Sequence, residues 1–237
     1  VGSGTVSTFR IWKLTFSTAN VVSGLVVFIL AFAVIFFTSR HVSMRPSKGQ
    51  NFLEWLIDFT NGILKGSIPA KEVSGFGLWG FTLFLFLFLS NQLGLFFNVA
   101  INGSAIVRSP TSDPIVTLTM SMMTVVLANY AGLKKWGTKG YLASFVKPSP
   151  MFLASNLFEQ VSSFLTLGLR IFGIIFSGEV LLEMVWSLAE LKGIPTLIAA
   201  VPIEMAWQGL SVFLGSIQAY VFLTLSSVYI GRQLEGE

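Results

Sequence analysis

The sequence predicts an all-α integral membrane protein with about five transmembrane helices, the last two long and steeply tilted. Three observations carry this. Of 237 residues, 53% are hydrophobic and only 11% charged, whereas a soluble domain is about a quarter charged. Apolar runs reach or approach the roughly 20 residues that cross a hydrocarbon core. Most of the charges collect between those runs. Such run lengths argue against a very apolar soluble core.

The first span is read at residues 21–37, closed by Thr38-Ser39-Arg40. It is read as a retained span rather than a signal peptide. Residues 40–74 are polar and basic and are read as cytoplasmic or interfacial. Within them Phe52, Trp55, Leu56, Phe59 and Ile63 recur at helical spacing, as in a helix lying at the interface or on the bundle. The second span is 76–97, with a dense Phe/Leu run better suited to lipid than to a cofactor. Residues 98–114 hold Asn, Gly, Ser and two Pro and read as a loop. The third span is 115–133, followed by a basic loop with Lys134, Lys135, Lys139 and Lys147.

Residues 151–188 and 195–230 form two helical patterns of about 38 and 36 residues. At about 1.5 Å per residue each exceeds about 50 Å, against about 30 Å of hydrocarbon. Neither has a polar turn, so tilt or bending is expected. The whole chain, 1–237, reads as one membrane domain. Ten basic residues fall on one side of these spans and four on the other. The positive-inside rule then places the N-terminus outside and the C-terminus in the cytoplasm. The net charge of +4 fits this orientation better than a nucleic-acid partner. With no cysteine and a single histidine, His41, no metal site or other cofactor is expected. No G-x-x-x-x-G-K-[ST] motif is present, so the chain alone should perform no ATP chemistry.

Ionisable groups at membrane depth are costly and mark ion routes. The fourth span carries Glu159, Arg170, Glu179 and Glu183, and the fifth carries Glu204, Gln208 and Gln218. Arg170 is too central to reach either surface easily. Guanidinium does not release its proton at useful pH. It can act as a fixed charge that lowers the pKa of a passing carboxyl group. The plainer alternative pairs Arg170 with a Glu or with helix carbonyls to fix packing. Glu179 lies about 13 Å beyond Arg170 along the helix, toward the outer face, and Glu159 lies before it, toward the cytoplasm. Carboxylates at two depths suit a path in two halves. Glu159, Glu179 and Glu183 could instead sit near headgroups.

Glu204, Ser211 and Gln218 are spaced i, i+7, i+14 and share one stripe of the fifth helix. The plainer role of Gln218, and of Gln208, is hydrogen bonding to a neighbouring helix. Glycines at 168, 173 and 178 recur every five residues. They could admit another helix beside Arg170 or serve packing within the chain.

Leu167-Gly-Leu-Arg-Ile-Phe-Gly-Ile-Ile-Phe-Ser-Gly-Glu179 resembles the signature of subunit a of F-type ATP synthases, bacterial members especially. Ser216-Ile-Gln-Ala-Tyr-Val-Phe-Leu-Thr-Leu-Ser-Ser-Val-Tyr229 resembles the C-terminal signature of that family. Arg45-Pro-Ser-Lys-Gly-Gln-Asn-Phe-Leu-Glu-Trp55, Asn91-Gln-Leu-Gly-Leu95 and Ser109-Pro-Thr-Ser-Asp113 agree in order and spacing. The resemblance implies an ion-conducting stator subunit in a bacterial plasma membrane. Two tilted helices would face a rotating ring of c subunits, beside a b-subunit stalk and below a soluble catalytic head. It implies that Arg170 keeps the ring carboxylate ionised and blocks a leak. Glu179 would belong to the outer half-channel, and Gln218 would pack near the arginine. Thr166, Glu159, Ser211 and Glu183 are further candidates for lining the half-channels. Protons are the expected ion, with sodium still open.

Two positions depart from the family pattern. Ile174 stands where Asn is common, which removes a polar lining group. Ser211 stands where many relatives carry His, with Glu204 two turns away on the same stripe. Glu204 and Glu179 are therefore expected to line the outer half-channel jointly. A self-contained transporter or channel is the competing reading, but no internal repeats or broken helices support it. A purely structural scaffold would not need a central Arg flanked in depth by carboxylates.

Overall fold

The computed structural model describes residues 8–11, 14–40, 48–96, 99–101, 104–107, 109–146, 152–190 and 194–235. Six α-helices are found among them: α1 (Thr18–Ser39), α2 (Lys48–Lys65), α3 (Val73–Phe96), α4 (Pro114–Val146), α5 (Phe152–Glu190) and α6 (Ile194–Glu235). All but α2 are long and apolar enough to cross a membrane. The protein is an all-α integral membrane protein.

Two antiparallel hairpins accompany the helices: β1 (Thr8–Ile11) with β2 (Leu14–Ser17), and β3 (Val99–Ile101) with β4 (Ser104–Val107). The second lies where a loop is expected from the Asn, Gly and Ser content. A hairpin satisfies its backbone hydrogen bonds locally. His41, Arg45-Pro46-Ser47, Arg108, Lys147 and Lys192 lie outside the described residues.

The described residues cluster into two compact units. The first draws on Val1–Ala31, Phe86–Pro114 and Ile171–Ala219. Here consecutive amides of α3 are fastened to α6. Asn91 Nδ2 donates to the Gly215 carbonyl at 2.9 Å, and Gln92 Nε2 donates to the Val212 carbonyl at 3.2 Å. Thr111 Oγ1, in a short 3₁₀ turn at Pro110–Ser112, donates to Asn91 Oδ1 at 2.9 Å. Asn91 and Thr111 are fully buried, which the rule that buried polar groups must be paired permits only through such bonds.

The second unit draws on Phe32–Leu85, Ile115–Arg170 and Tyr220–Glu237. α2 buries Leu56, Thr60 and Leu64 and exposes Phe52 and Trp55. Its Phe59 ring stands 5.6 Å from Phe84 of α3 and 6.1 Å from Tyr220 of α6, centroid to centroid. Lys65 in its last turn complements the helix dipole. Further on, α6 comes so close to the turn after α2 that a Cβ on Gly231 would lie 2.1 Å from the Ser67 carbonyl oxygen.

The sequence reads residues 134–147 as a basic loop, but helix continues to Val146 with a break at Gly137, where φ is 70°. Glycine takes that left-handed conformation without steric cost. The break turns the chain back on itself. Tyr141 Oη donates to Asn129 Oδ1 at 2.8 Å, although a straight helix would separate these residues by about 18 Å. Lys134, Lys135, Trp136 and Lys139 stay exposed around the turn.

Candidate intramembrane polar site

Arg170 and Glu179 are carried by one uninterrupted helix, α5. This agrees with the absence of a polar turn in that run. Arg170 belongs to the second unit and is half-buried, between fully buried Leu167 and Ile171. Two residues earlier, Gly168 lets α5 approach α4: a Cβ there would lie 2.8 Å from Leu118 Cδ2 and 3.1 Å from its Cα. Ser121 of α4 donates to the Phe164 carbonyl of α5. α4 therefore braces α5 just before the arginine. Within its own unit, Arg170 makes neither an ion pair nor a hydrogen bond with a described residue.

Glu159 is exposed and paired with Arg232 of α6. The pair borders a cavity of about 100 Å³ whose lining includes Asn129, Gln160, Ser163 and Tyr229. Gln160 and Asn129 hydrogen-bond through their amides at 3.2 to 3.3 Å, with Tyr141 on the same Asn129 oxygen. Thr166 is exposed and is not among the residues lining this cavity.

In the first unit, Glu179 is half-buried. The preceding residue, Gly178, accepts a hydrogen bond at its carbonyl from Trp207 Nε1 of α6, at 3.3 Å. Trp207, Ser211 and Leu214 of α6 and Gly173, Ile174, Ser177 and Gly178 of α5 line a cavity of about 210 Å³. That is room for several waters. Ile174 and Ser211, the two positions at which the sequence departs from the resembled pattern, are both part of this wall. Ser211 Oγ approaches the position of a Gly178 Cβ to 3.9 Å.

The three stripe positions of α6 differ in burial. Ser211 is 6% exposed and Gln218 2% exposed, while Glu204 is half-buried. Ser211 Oγ and Gln218 Nε2 are buried and have no hydrogen-bond partner among the described residues. Leaving such a group dry costs about 1–3 kcal/mol. The Gln218 amide is therefore not explained as a direct bond to a neighbouring helix. Glu183 lies on α5, and its side chain is outside what the structure describes.

The glycines at 168, 173 and 178 separate into different roles. Gly168 and Gly178 face neighbours within the chain, whereas a Cβ on Gly173 would meet nothing within 4 Å. Several polar groups escaped the sequence reading: Asn129, Gln160, Tyr141, Trp207 and Arg232 as a partner. The first two are amides inside apolar runs, a signal available in the sequence, but nothing local shows that they meet.

Five helices long and apolar enough to cross a membrane define a multi-pass membrane protein, and one of them carries an arginine that is unpaired among the described residues. The chain matches the family described as ATP synthase A chain over residues 20–231. It is 51% identical to ATP synthase subunit a of Pediococcus pentosaceus, over 98% of each chain. It is 48% identical to ATP synthase subunit a of Limosilactobacillus fermentum, over 99% of each chain. Its identity to ATP synthase subunit a of Enterococcus faecalis is 42%, over 97% of each chain. The chain belongs to the ATP synthase A chain family, as the resemblance of its motifs implies.

Proposed function

We propose that this chain is the ion-conducting stator subunit of a rotary F-type ATP synthase. It sits in a bacterial plasma membrane with its N-terminus outside and its C-terminus in the cytoplasm. It forms two half-channels that load and unload protons on the carboxylates of a c-subunit ring. The b-subunit stalk holds it against rotation, and the soluble head carries out the ATP chemistry, to which this chain contributes no catalytic residue. The whole chain acts as one membrane domain, with α5 and α6 tilted along the ring.

One observation carries the reading. Arg170 keeps its charge on a membrane-spanning helix without a counter-ion among the described residues of its unit, while Glu159, the acid on the same helix within that unit, is engaged by Arg232. An unneutralised charge at that depth is costly. It is sensible where a carboxylate from a partner arrives to meet it. The guanidinium then favours the ionised carboxylate and drives its proton off. Because arginine does not give up its own proton, protons cannot hop through it, and the two halves stay separated.

Glu179 and Glu204 serve the outer half, with Ser211 and the cavity at Ile174 between α5 and α6. The buried hydroxyl of Ser211 and amide of Gln218 support a wet path, because water is the partner that satisfies them. Glu159 and Thr166 serve the inner half, and Glu183 the outer mouth.

The test is Arg170→Ala in the assembled complex. ATP-driven pumping should be lost while ATP hydrolysis by the detached head survives. Coupled pumping at the normal rate would overturn the assignment.

A further inference from the structure

Glu159 and Arg232 stand 73 positions apart in sequence, yet their side chains form an ion pair joining α5 to α6. The pair is half-exposed, with side-chain exposures of 57% for Glu159 and 52% for Arg232. Isolated pairs of that exposure add little to stability, at most about 1 kcal/mol, so stability alone does not account for it. Its position is more informative. Both residues line the polar cavity of about 100 Å³, and they do so from different helices. Two of the other polar lining residues, Asn129 and Gln160, are held in place. Asn129, Gln160 and Tyr141 are tied together, and Tyr141 is brought there by the turn at Gly137. Glu159 is the one carboxylate in the lining. Among the described residues, its side chain is bonded to Arg232.

We propose that Arg232 is a positioning residue for the inner ion path: it holds the Glu159 carboxylate at the edge of this cavity and fixes the width of the opening between α5 and α6. This rests on the reading of the chain as an ion-conducting subunit. Arg232 does not touch the transported ion's carboxylate partner and takes no proton. It determines where Glu159 sits. The side chain suits the task, because a guanidinium binds a carboxylate with defined geometry and is always charged. A neutral replacement would free Glu159 to swing into water.

The experiment uses the assembled complex in membranes, with ATP-driven pumping and passive proton conductance after removal of the head. Both are normalised to the amount of complex. Arg232→Gln should lower both at least about threefold at normal complex content, and Arg232→Lys should recover most of the loss. Glu159→Arg and Arg232→Glu should each be defective alone, while the double exchange should restore at least half of the original conductance. A merely structural role would lower complex content and leave conductance per complex unchanged, which would overturn the inference. So would Arg232→Gln with normal conductance, or a double exchange no better than the worse single variant. Arg170→Ala is measured in parallel. If it abolishes pumping while the Arg232 variants are neutral, only the positioning role falls. If it leaves pumping intact, the reading of the whole path falls with it.

Discussion

Replacing Gly231 by Ala probes the closest approach in the second unit. The added Cβ would lie 2.1 Å from the Ser67 carbonyl oxygen and 3.0 Å from its carbon, whereas ordinary contact begins near 3.4 Å. Both neighbours are backbone atoms, so no side chain can rotate aside. α6 or the turn after α2 must retreat by more than about 1 Å, and overpacking of this kind costs about 1–3 kcal/mol. The natural control is Gly62→Ala on α2, where a Cβ meets nothing within 4 Å. There the better helix propensity of alanine should add about 0.5–1 kcal/mol. One chemical change should therefore act with opposite sign at two sites, differing by about 2 kcal/mol or more. Thermal denaturation of the detergent-solubilised complex, read as release of this chain, measures both. Equal melting temperatures for the two variants would refute the argument from close approach.

Two further outcomes follow from the first unit. Asn91→Ala removes the donor to Gly215 and the acceptor for Thr111. It should cost about 1–3 kcal/mol, and a double-mutant cycle with Thr111→Val should show coupling above about 0.5 kcal/mol. Strict additivity would show that the two side chains act separately. Glu204→Gln should reduce ATP-driven pumping if Glu204 shares the outer half-channel with Glu179, and unchanged pumping would remove it from that path.

Much of the fold is written in the order of residues because spanning a membrane is a local, one-dimensional demand. A run must be apolar and long enough, and the backbone must satisfy itself as helix. The expected span 21–37 lies inside α1, and the expected run 151–188 matches α5 closely. The amphipathic spacing from Phe52 to Ile63 similarly foretold α2. Where the demand is not local, the order of residues says less. The lysines after the third span resemble a loop by charge, yet the chain stays helical and doubles back at Gly137, stabilised by Tyr141 meeting Asn129. Loop-like composition at 98–114 did not reveal the pairing of Val99 with Val107.

The sequence by itself determined that the protein is a multi-pass membrane protein, that Arg170 and Glu179 ride one helix, and that Ser211 and Gln218 share a stripe. Those facts follow from run length and helical period. Only the tertiary structure decided which acid is taken and which cation is left unpaired in its unit. It gave Glu159 to Arg232 and, among the described residues, left Arg170 without a counter-ion in its unit and buried Ser211 Oγ and Gln218 Nε2 without partners. Such pairings depend on which faces of distant helices meet. Burial and proximity across some 73 positions, as between Glu159 and Arg232, are set by packing and not by any local pattern.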